Sequence, residues 1–436
     1  RPVTDVDVAI AGDPEAAARA VARSLRGPAF QLSERFGAWR ALDRASGTTY
    51  DISALQGGTI EADLALRDFS VNAMARPLEG GSIVDPHGGR ADLDAGVLRV
   101  LSPEAYEADP LRALRLARLA AELGFAPDTT TEELTRAAAP AVPTASAERV
   151  FGELRRLVTA PDALAGVALA DRLGLLRAVL PELHELHDVE QSGYHHLDVY
   201  DHTVEVLARQ IELEGRLREL FGDLAPRIQA VLDEPLADDL TRGQAIRLGA
   251  LVHDVGKPAT RGVRPDGRVT FIGHDELGER MVRELCCRLR TSDRLSRFLE
   301  GLTRTHLVLG FMVHDRPLDS RGVYRYLTTT SPVEVEVTLL SCADRLATRG
   351  RKADEAIAAH LTLARELMAA ALAWRMDGPP ASPVRGDELA RELGIAPGPE
   401  LGRLLRRLEE AAFTGEARDR DEAVELARSL RENPAP

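Results

Sequence analysis

Alternation of apolar and polar residues, the mark of a half-buried strand, is confined to residues 1–98 of this chain. "TDVDVAIAG" alternates in this way, and "GAWRALDR" and "TTYDISAL" read as the two arms of a hairpin. Between them, "DPEAAARAVARSL" predicts a helix with Asp13 as its N-cap and Pro14 at its first position. From residue 99 onward the β signal almost vanishes. Long Ala/Leu/Arg-rich helices follow, broken at Pro140–Pro143, Pro181 and Pro226, with a polar break over Gly378–Pro383 that reads as a linker. Strands gathered at one end and helices after them predict an α+β chain: a small sheet-bearing head, then an all-helical body in several parts. The 436 residues suffice for two to four domains.

The formal net charge of −14 argues against a nonspecific nucleic-acid coat, but it leaves room for a local basic stripe that grips RNA. No unbroken run of about 18 apolar residues exists, so no membrane contact is expected. Cys286, Cys287 and Cys342 lack zinc-ligand spacing and read as reduced thiols in a cytoplasmic setting.

Asp5 and Asp7 flank Val6 on the first strand. Side chains alternate faces along a strand, so both carboxylates point the same way, about 6–7 Å apart at the backbone. Such a pair suits one or two Mg²⁺ ions, which prefer oxygen ligands. Asp51, in "TYDISAL", is a candidate third carboxylate on a neighbouring strand. Alone, Asp-x-Asp is more often a solvated strand face. Here it is followed by "LRDFSVNAMA" (Leu66–Ala75), "DPHGGRADL" (Asp85–Leu93), "ADPLRALRLARLAAELGF" (Ala108–Phe125) and "ERVFGEL" (Glu148–Leu154).

Taken in order, these segments resemble the successive motifs of class II tRNA nucleotidyltransferases and bacterial poly(A) polymerases. The resemblance implies a polymerase-beta-like nucleotidyltransferase head with a small antiparallel sheet. It implies addition of C and A to the 3′ end of tRNA from CTP and ATP, with Mg²⁺ held by Asp5 and Asp7 and with Asp51 as the third catalytic carboxylate. Arg67 would reach the nucleotide, and Asp68 and Asn72 would order the site around it. Asp109 and Arg112 would read the incoming base, and Arg115 and Arg118 would also contact the nucleotide. The four positions recur at i+3 and would share a broad helical face. An Asp beside an Arg can accept from an exocyclic amine and donate to a ring nitrogen, the pattern that cytosine and adenine present. Uracil and guanine would leave both charges unpaired.

The chain departs from that pattern in three places. The family's glycine pair and arginine, expected just upstream of the first strand, would precede Arg1. Only "ISALQGGTIEADLAL" separates Asp51 from Arg67, and so short a segment resembles the CC-adding subgroup. The base-reading motif opens with Ala108 where the family usually has Glu.

In the body, "YHHLDVYDHTVEVL", "LGALVHDVGKPATR" and "LLSCADRLATRG" place His202, His253, Asp254 and Asp344 in the order of the HD phosphohydrolases. Imidazole and carboxylate together suit Mn, Fe, Co, Ni or Zn as a divalent ion. His274 and His306 are candidate extra ligands, which would make a two-metal site. Lys257 reads equally as a phosphate contact or a surface residue, and His187, His195 and His196 as surface or interdomain histidines. An HD part joined to such a head resembles bacterial CCA-adding enzymes whose HD part hydrolyses phosphate esters. The tail "VRGDELARELGIAPGPELGRLLRRLEEA" also resembles the family, with Arg403, Arg406 and Arg407 at helical spacing to meet RNA.

The expected organisation is a head over 1–98, a helical neck over 99–186, an HD domain over 187–352 and a tRNA-binding tail over 353–436. Three alternatives stand beside CCA addition: CC addition alone, a phosphohydrolase whose head has lost its glycine loop, and a poly(A) polymerase.

Overall fold

The structure, a computed structural model, describes residues 4–33, 37–191, 197–348 and 353–432. The chain divides into two compact units, Arg1–Ala145 with Leu173–Leu175, and Ser146–Arg172 with Leu176–Pro436.

In the first unit, β1 (Asp5–Ile10), β2 (Ala29–Ser33), β3 (Ala38–Leu42) and β4 (Thr49–Ala54) form a sheet in the order β1-β4-β3-β2. Helix α1 (Pro14–Leu25) begins as the sequence predicts: Asp13 accepts from the Glu15 backbone N–H, and Pro14 opens the first turn. Its Ala18 and Ala22 are buried, and small side chains on that face let it lie close on β3 and β4. The β3–β4 hairpin also forms as expected, its turn held by Asp43, which accepts from the Ala45 N–H and the Ser46 hydroxyl.

The sheet is mixed rather than wholly antiparallel, because β1 and β4 run parallel, with Asp7 opposite Asp51. A parallel pair needs a long connection, and here α1, β2 and β3 supply it. Local turn signals cannot reveal where such a returning strand docks.

The unit continues through α2 (Ile60–Leu64), α3 (Gly89–Ala95), α4 (Pro103–Ala108), α5 (Leu111–Leu123) and α6 (Thr129–Ala138). Phe69, Leu98, Leu111 and Leu114 form the centre of its core. Gly89 is required there: a Cβ would come within 2.2 Å of the Ser70 carbonyl oxygen.

The principal helices of the second unit are α7 (Ala147–Thr159), α8 (Ala163–Arg172), the short α9 (Pro181–His184), α10 (Val199–Gly215), α11 (Arg242–Val252), α12 (His274–Leu289), α13 (Asp293–Thr305), α14 (Ser320–Thr330), α15 (Glu334–Ala347), α16 (Ala353–Asp377), α17 (Gly386–Leu393), α18 (Pro399–Thr414) and α19 (Arg420–Glu432). α15 is buried along almost its whole length and packs against α10, α11 and α16. By length and composition α16 is apolar enough to cross a membrane, although charged residues interrupt its apolar stretch. It lies along α15 with Leu363, Ala364, Leu367, Met368 and Ala371 buried. After the expected break over 378–383, α17, α18 and α19 enclose a core of their own around Leu389, Leu408, Ala411 and Ala427. Pro399 follows Gly398 at the start of α18, the tight entry that "APGPELG" predicts.

Candidate active sites

β1 carries Asp5 and Asp7, and β4 brings Asp51 into register with Asp7. The three carboxylates differ in their partners. Asp5 accepts from the Thr49 hydroxyl at 2.5 Å and the Thr4 hydroxyl at 3.1 Å. Asp51 is held in a two-pronged ion pair by Arg40, at 2.6 and 2.7 Å. Burial raises the Asp7 pKa, and the nearby Asp51 charge raises it further, against the opposing pull of Arg67 and Arg40. Crowded carboxylates with a penalty on ionisation are the kind of donor set that a divalent cation relieves, so the residues present fit a hard cation at Asp5 and Asp7.

Asp7 lines a cavity of about 700 Å³ together with Arg67, Asn72, Asp63 and Arg76. Arg67 is paired to buried Asp63 at 2.9 Å. Asp68 is buried and accepts from the Asn72 amide at 3.0 Å, the Phe69 N–H at 2.8 Å and Arg115 at 2.8 Å. Burial would raise its pKa, but Arg115 and these bonds lower it. Arg112 is clamped by three carbonyls, those of Leu66 at 2.9 Å, Arg67 at 3.2 Å and Ala105 at 3.3 Å. Burial lowers its pKa, partly offset by Asp68 and Asp109.

The expected single helical face of four residues does not form. Asp109 is the extended C-cap of α4, while Arg112, Arg115 and Arg118 lie on α5. Pro110 is the cause, since the residue before a proline is pushed out of the helical region. Arg118 is buried and pairs with Glu122 one turn on. Asp109, Arg112, Arg115 and Arg118 do not line the cavity, although Arg115 reaches it indirectly through Asp68 and Asn72.

In the second unit, six predicted residues converge from distant stretches. His202 projects from α10 and Asp344 from α15, with His253 and Asp254 at the end of α11. His274 opens α12, and His306 caps α13. His202, His253, Asp254 and His306 are each at most 1% exposed. Asp254 is the hub. Its oxygens lie 3.1 Å from His253 Nε2, 3.2 Å from His274 Nε2, 3.7 Å from His306 Nε2, 3.8 Å from His202 Nε2 and 2.7 Å from Lys257 Nζ. Asp344 Oδ1 lies 3.0 Å from His202 Nε2.

Three of the histidines are oriented alike. Nδ1 of His253, His274 and His306 faces the backbone carbonyl three residues earlier, at 2.9, 2.7 and 2.7 Å. A carbonyl can only accept, so each Nδ1 carries a proton and each Nε2 turns its lone pair inward when the ring is neutral, the usual arrangement behind metal-bound histidine. Burial, with the charge of His253 second, pushes His306 down to about 4, which keeps its ring neutral. Burial opposes ionisation of Asp254, but His253 and Lys257 hold its carboxyl well below the usual range. His253 Nε2 and both Asp254 oxygens are buried with no well-formed hydrogen bond. Two overlapping ligand groups share Asp254, one with His202 and His253 and one with His274 and His306. The donor chemistry and the orphaned atoms fit a divalent transition metal. Gly256 permits this convergence, since a Cβ there would come within 2.2 Å of the His274 carbonyl oxygen.

Lys257 is buried, donates to the Gln191 side-chain oxygen at 2.9 Å and is ion-paired with Asp254, so it is not a surface residue. His187 is half-buried, 3.1 Å from Asp171 and stacked on Tyr200. His195 and His196 lie outside the described residues. In the tail, Arg407 is paired to Glu416 at 2.6 Å. Sequence reading missed Asp63 and Arg40. The i,i+4 spacing of Asp63 and Arg67 was a usable signal, and Arg40 becomes visible once the hairpin register sets it opposite Asp51.

Comparison with known proteins gives three matching families: a poly(A) polymerase head domain over residues 1–99, a probable RNA and SrmB-binding site of polymerase A over residues 124–186, and an HD domain over residues 199–349. The A-adding tRNA nucleotidyltransferase of Deinococcus radiodurans is 36% identical, covering 94% of this chain and 88% of that protein. The CC-adding tRNA nucleotidyltransferase of Thermus thermophilus is 35% identical, covering 96% of this chain and 88% of that protein. Among solved structures, a CCA-adding enzyme with ATP superposes with a TM-score of 0.63 at 19% identity, covering 98% of this chain and 88% of that one. At that identity the likeness carries the fold.

Proposed function

The chain belongs to the tRNA nucleotidyltransferase and poly(A) polymerase family, and from that premise we propose that it adds C and A to the 3′ end of tRNA from CTP and ATP, and that its HD residues hydrolyse phosphate esters. The observation that carries the first part is the carboxylate face of β1 and β4 beside a cavity that also takes in Arg67 and Asn72.

In this reaction the RNA 3′-hydroxyl attacks the α-phosphorus of the nucleotide and pyrophosphate leaves. Mg²⁺ at Asp5 and Asp7 would supply the positive charge that the triphosphate and the attacking oxygen need. The protein's own contribution is positioning. Arg67, steadied by Asp63, offers its charge to the triphosphate. Asp51 has its charge taken up by Arg40 and so acts chiefly on Asp7. Asp68 pins Asn72 and Arg115. Arg112, clamped by three carbonyls, is a preset donor, and with Asp109 it selects the amino-bearing edges of C and A over U and G. Arg118 is buried and tied to Glu122, so its charge serves the core of the head before any nucleotide.

CC addition alone is a second reading with a specific observation behind it. The segment after Asp51 folds entirely into the end of β4, a short turn over Gln56–Gly58 and α2, with no extended loop.

For the HD residues, His202, His253, Asp254 and Asp344, with His274 and His306 for a second ion, would hold a divalent transition metal that activates water. Lys257 would balance the charge of Asp254. The proposed division is a head over 1–98, a neck over 99–186, the HD part over 187–352 and a tRNA-binding tail over 353–436, with Arg403 and Arg406 facing RNA. Three free cysteines, two of them buried, agree with a reducing cytoplasm.

The test uses tRNA lacking CCA and tRNA ending in CC, with CTP and ATP separately and together. Addition of CC that stops identifies a CC-adding enzyme, and addition only of A to tRNA-CC an A-adding one. Asp7→Ala should abolish addition and spare hydrolysis, and His253→Ala should do the reverse. Loss of both activities in either variant, with folding intact, would sink the two-site reading.

A further inference from the structure

Outside both sites, a third group of metal-ligating side chains stands in the second unit: Asp171 near the end of α8, His184 at the end of α9 and His187 in the turn that follows. One ligand atom from each lies within 4.8 Å of the others. Asp171 Oδ1 is 3.1 Å from His187 Nε2 and 3.9 Å from His184 Nδ1. Tetrahedral zinc with bonds of about 2.1 Å would set such atoms about 3.4 Å apart, so the observed spacing needs only small adjustment.

Two features separate this group from an ordinary His–Asp pair. His184 Nδ1 is buried and makes no hydrogen bond, although it faces the carboxylate. One ring also has outer support: the Tyr200 ring stacks on His187 with centroids 3.7 Å apart, beside the Asp171 carboxylate, whose charge comes second to burial in raising the Tyr200 pKa. Such outer contacts orient metal ligands and fix their rotamers.

We propose that Asp171, His184 and His187 form a metal site distinct from the HD cluster, taking a zinc-like divalent transition cation with three protein ligands and an open fourth position. Two nitrogens and one carboxylate oxygen favour such an ion over Mg²⁺ or Ca²⁺. The site is a clip. It ties α8 to the turn that leads into α10, where the Tyr200 N–H donates to the Leu186 carbonyl at 3.2 Å and the Val199 N–H to the Val189 carbonyl at 3.1 Å. Tyr200 stands two residues before His202, so the clip steadies the helical turn that presents an HD ligand.

The experiment titrates metal-free protein with Co²⁺ and counts bound equivalents by equilibrium dialysis, with visible absorption reporting the coordination. His184→Ala should bind one equivalent fewer than the unaltered protein. The double variant His202→Ala/Asp254→Asn, which disrupts both HD ligand groups, should keep one equivalent at micromolar Co²⁺, and adding His184→Ala to it should weaken that binding at least about tenfold. Because removing two buried HD residues can unfold the double variant, melting is also compared for the unaltered protein and His184→Ala. Both should melt alike in chelator, and Zn²⁺ should raise the unaltered protein more. Equal stoichiometry and equal Zn²⁺ response in those two proteins would overturn the proposal.

Discussion

Replacing Asp68 with Asn tests whether one buried carboxylate organises the nucleotide end of the head. The two oxygens divide their work. Oδ1 accepts from the Phe69 N–H and the Asn72 amide, and Oδ2 accepts from Arg115. Asparagine keeps one acceptor oxygen for Phe69 and Asn72 but turns an amide NH₂ toward the guanidinium. The loss is one charge-assisted hydrogen bond, about 1.5–3 kcal/mol, plus whatever Arg115 cannot recover from water with its side chain only 28% exposed. A loss of about 2–3 kcal/mol corresponds to a fall of about 4–12 °C in the melting transition of a unit this size. Calorimetry of the first unit's transition measures it. The sign with pH follows from the depressed pKa of Asp68. Its stabilisation is fully present above the unfolded carboxylate pKa and is lost as pH falls through the folded value. The gap between the two proteins should therefore stay constant from pH 8 to pH 5 and close only in stronger acid. Nucleotide addition should fall in kcat more than in KM, since Asn72 and Arg115 lose their fixed positions. An unchanged melting transition, or a gap that closes near neutrality, would refute the reasoning.

Arg40→Leu should free Asp51 and remove one influence that lowers the Asp7 pKa, so the acid limb of kcat/KM for addition should move to higher pH; a pH–rate profile that stays put or moves down counts against it. Arg118→Leu should cost about 1–3 kcal/mol by unpairing buried groups, with KM for CTP and ATP unchanged in steady-state kinetics; a raised KM at unaltered stability would return Arg118 to the nucleotide. Gly256→Ala should push the end of α11 away from α12 at a cost of about 1–3 kcal/mol, with hydrolysis lost and addition kept, as paired assays on one preparation would show.

Much of the site was legible because its chemistry comes in short, ordered segments. Asp5 and Asp7 share a face by strand geometry alone, and Asp51 was correctly assigned to a neighbouring strand. The HD residues were legible as types in order, although His202 and Asp344 stand 142 positions apart and still meet at 3.0 Å. Asp109 was misread because helical spacing was extended through Pro110, whose steric effect on the preceding residue breaks the helix. Arg118 kept the right spacing but turned into the core, which spacing cannot foretell because both sides of α5 are buried.

The sequence by itself determined the plan: a sheet-bearing head, then helices, their caps, the hairpin, and which residues are candidates for holding phosphate and metal. These follow from local periodicity and from backbone stereochemistry, which act over a few residues. Tertiary structure alone decided that β1 runs parallel to β4, that Arg40 neutralises Asp51, that Lys257 is a buried partner of Asp254, and that Asp171 meets two histidines. Each of these depends on how distant segments dock. Docking is settled by the burial of whole faces, and the residues that meet in consequence carry no mark of it in their own neighbourhood.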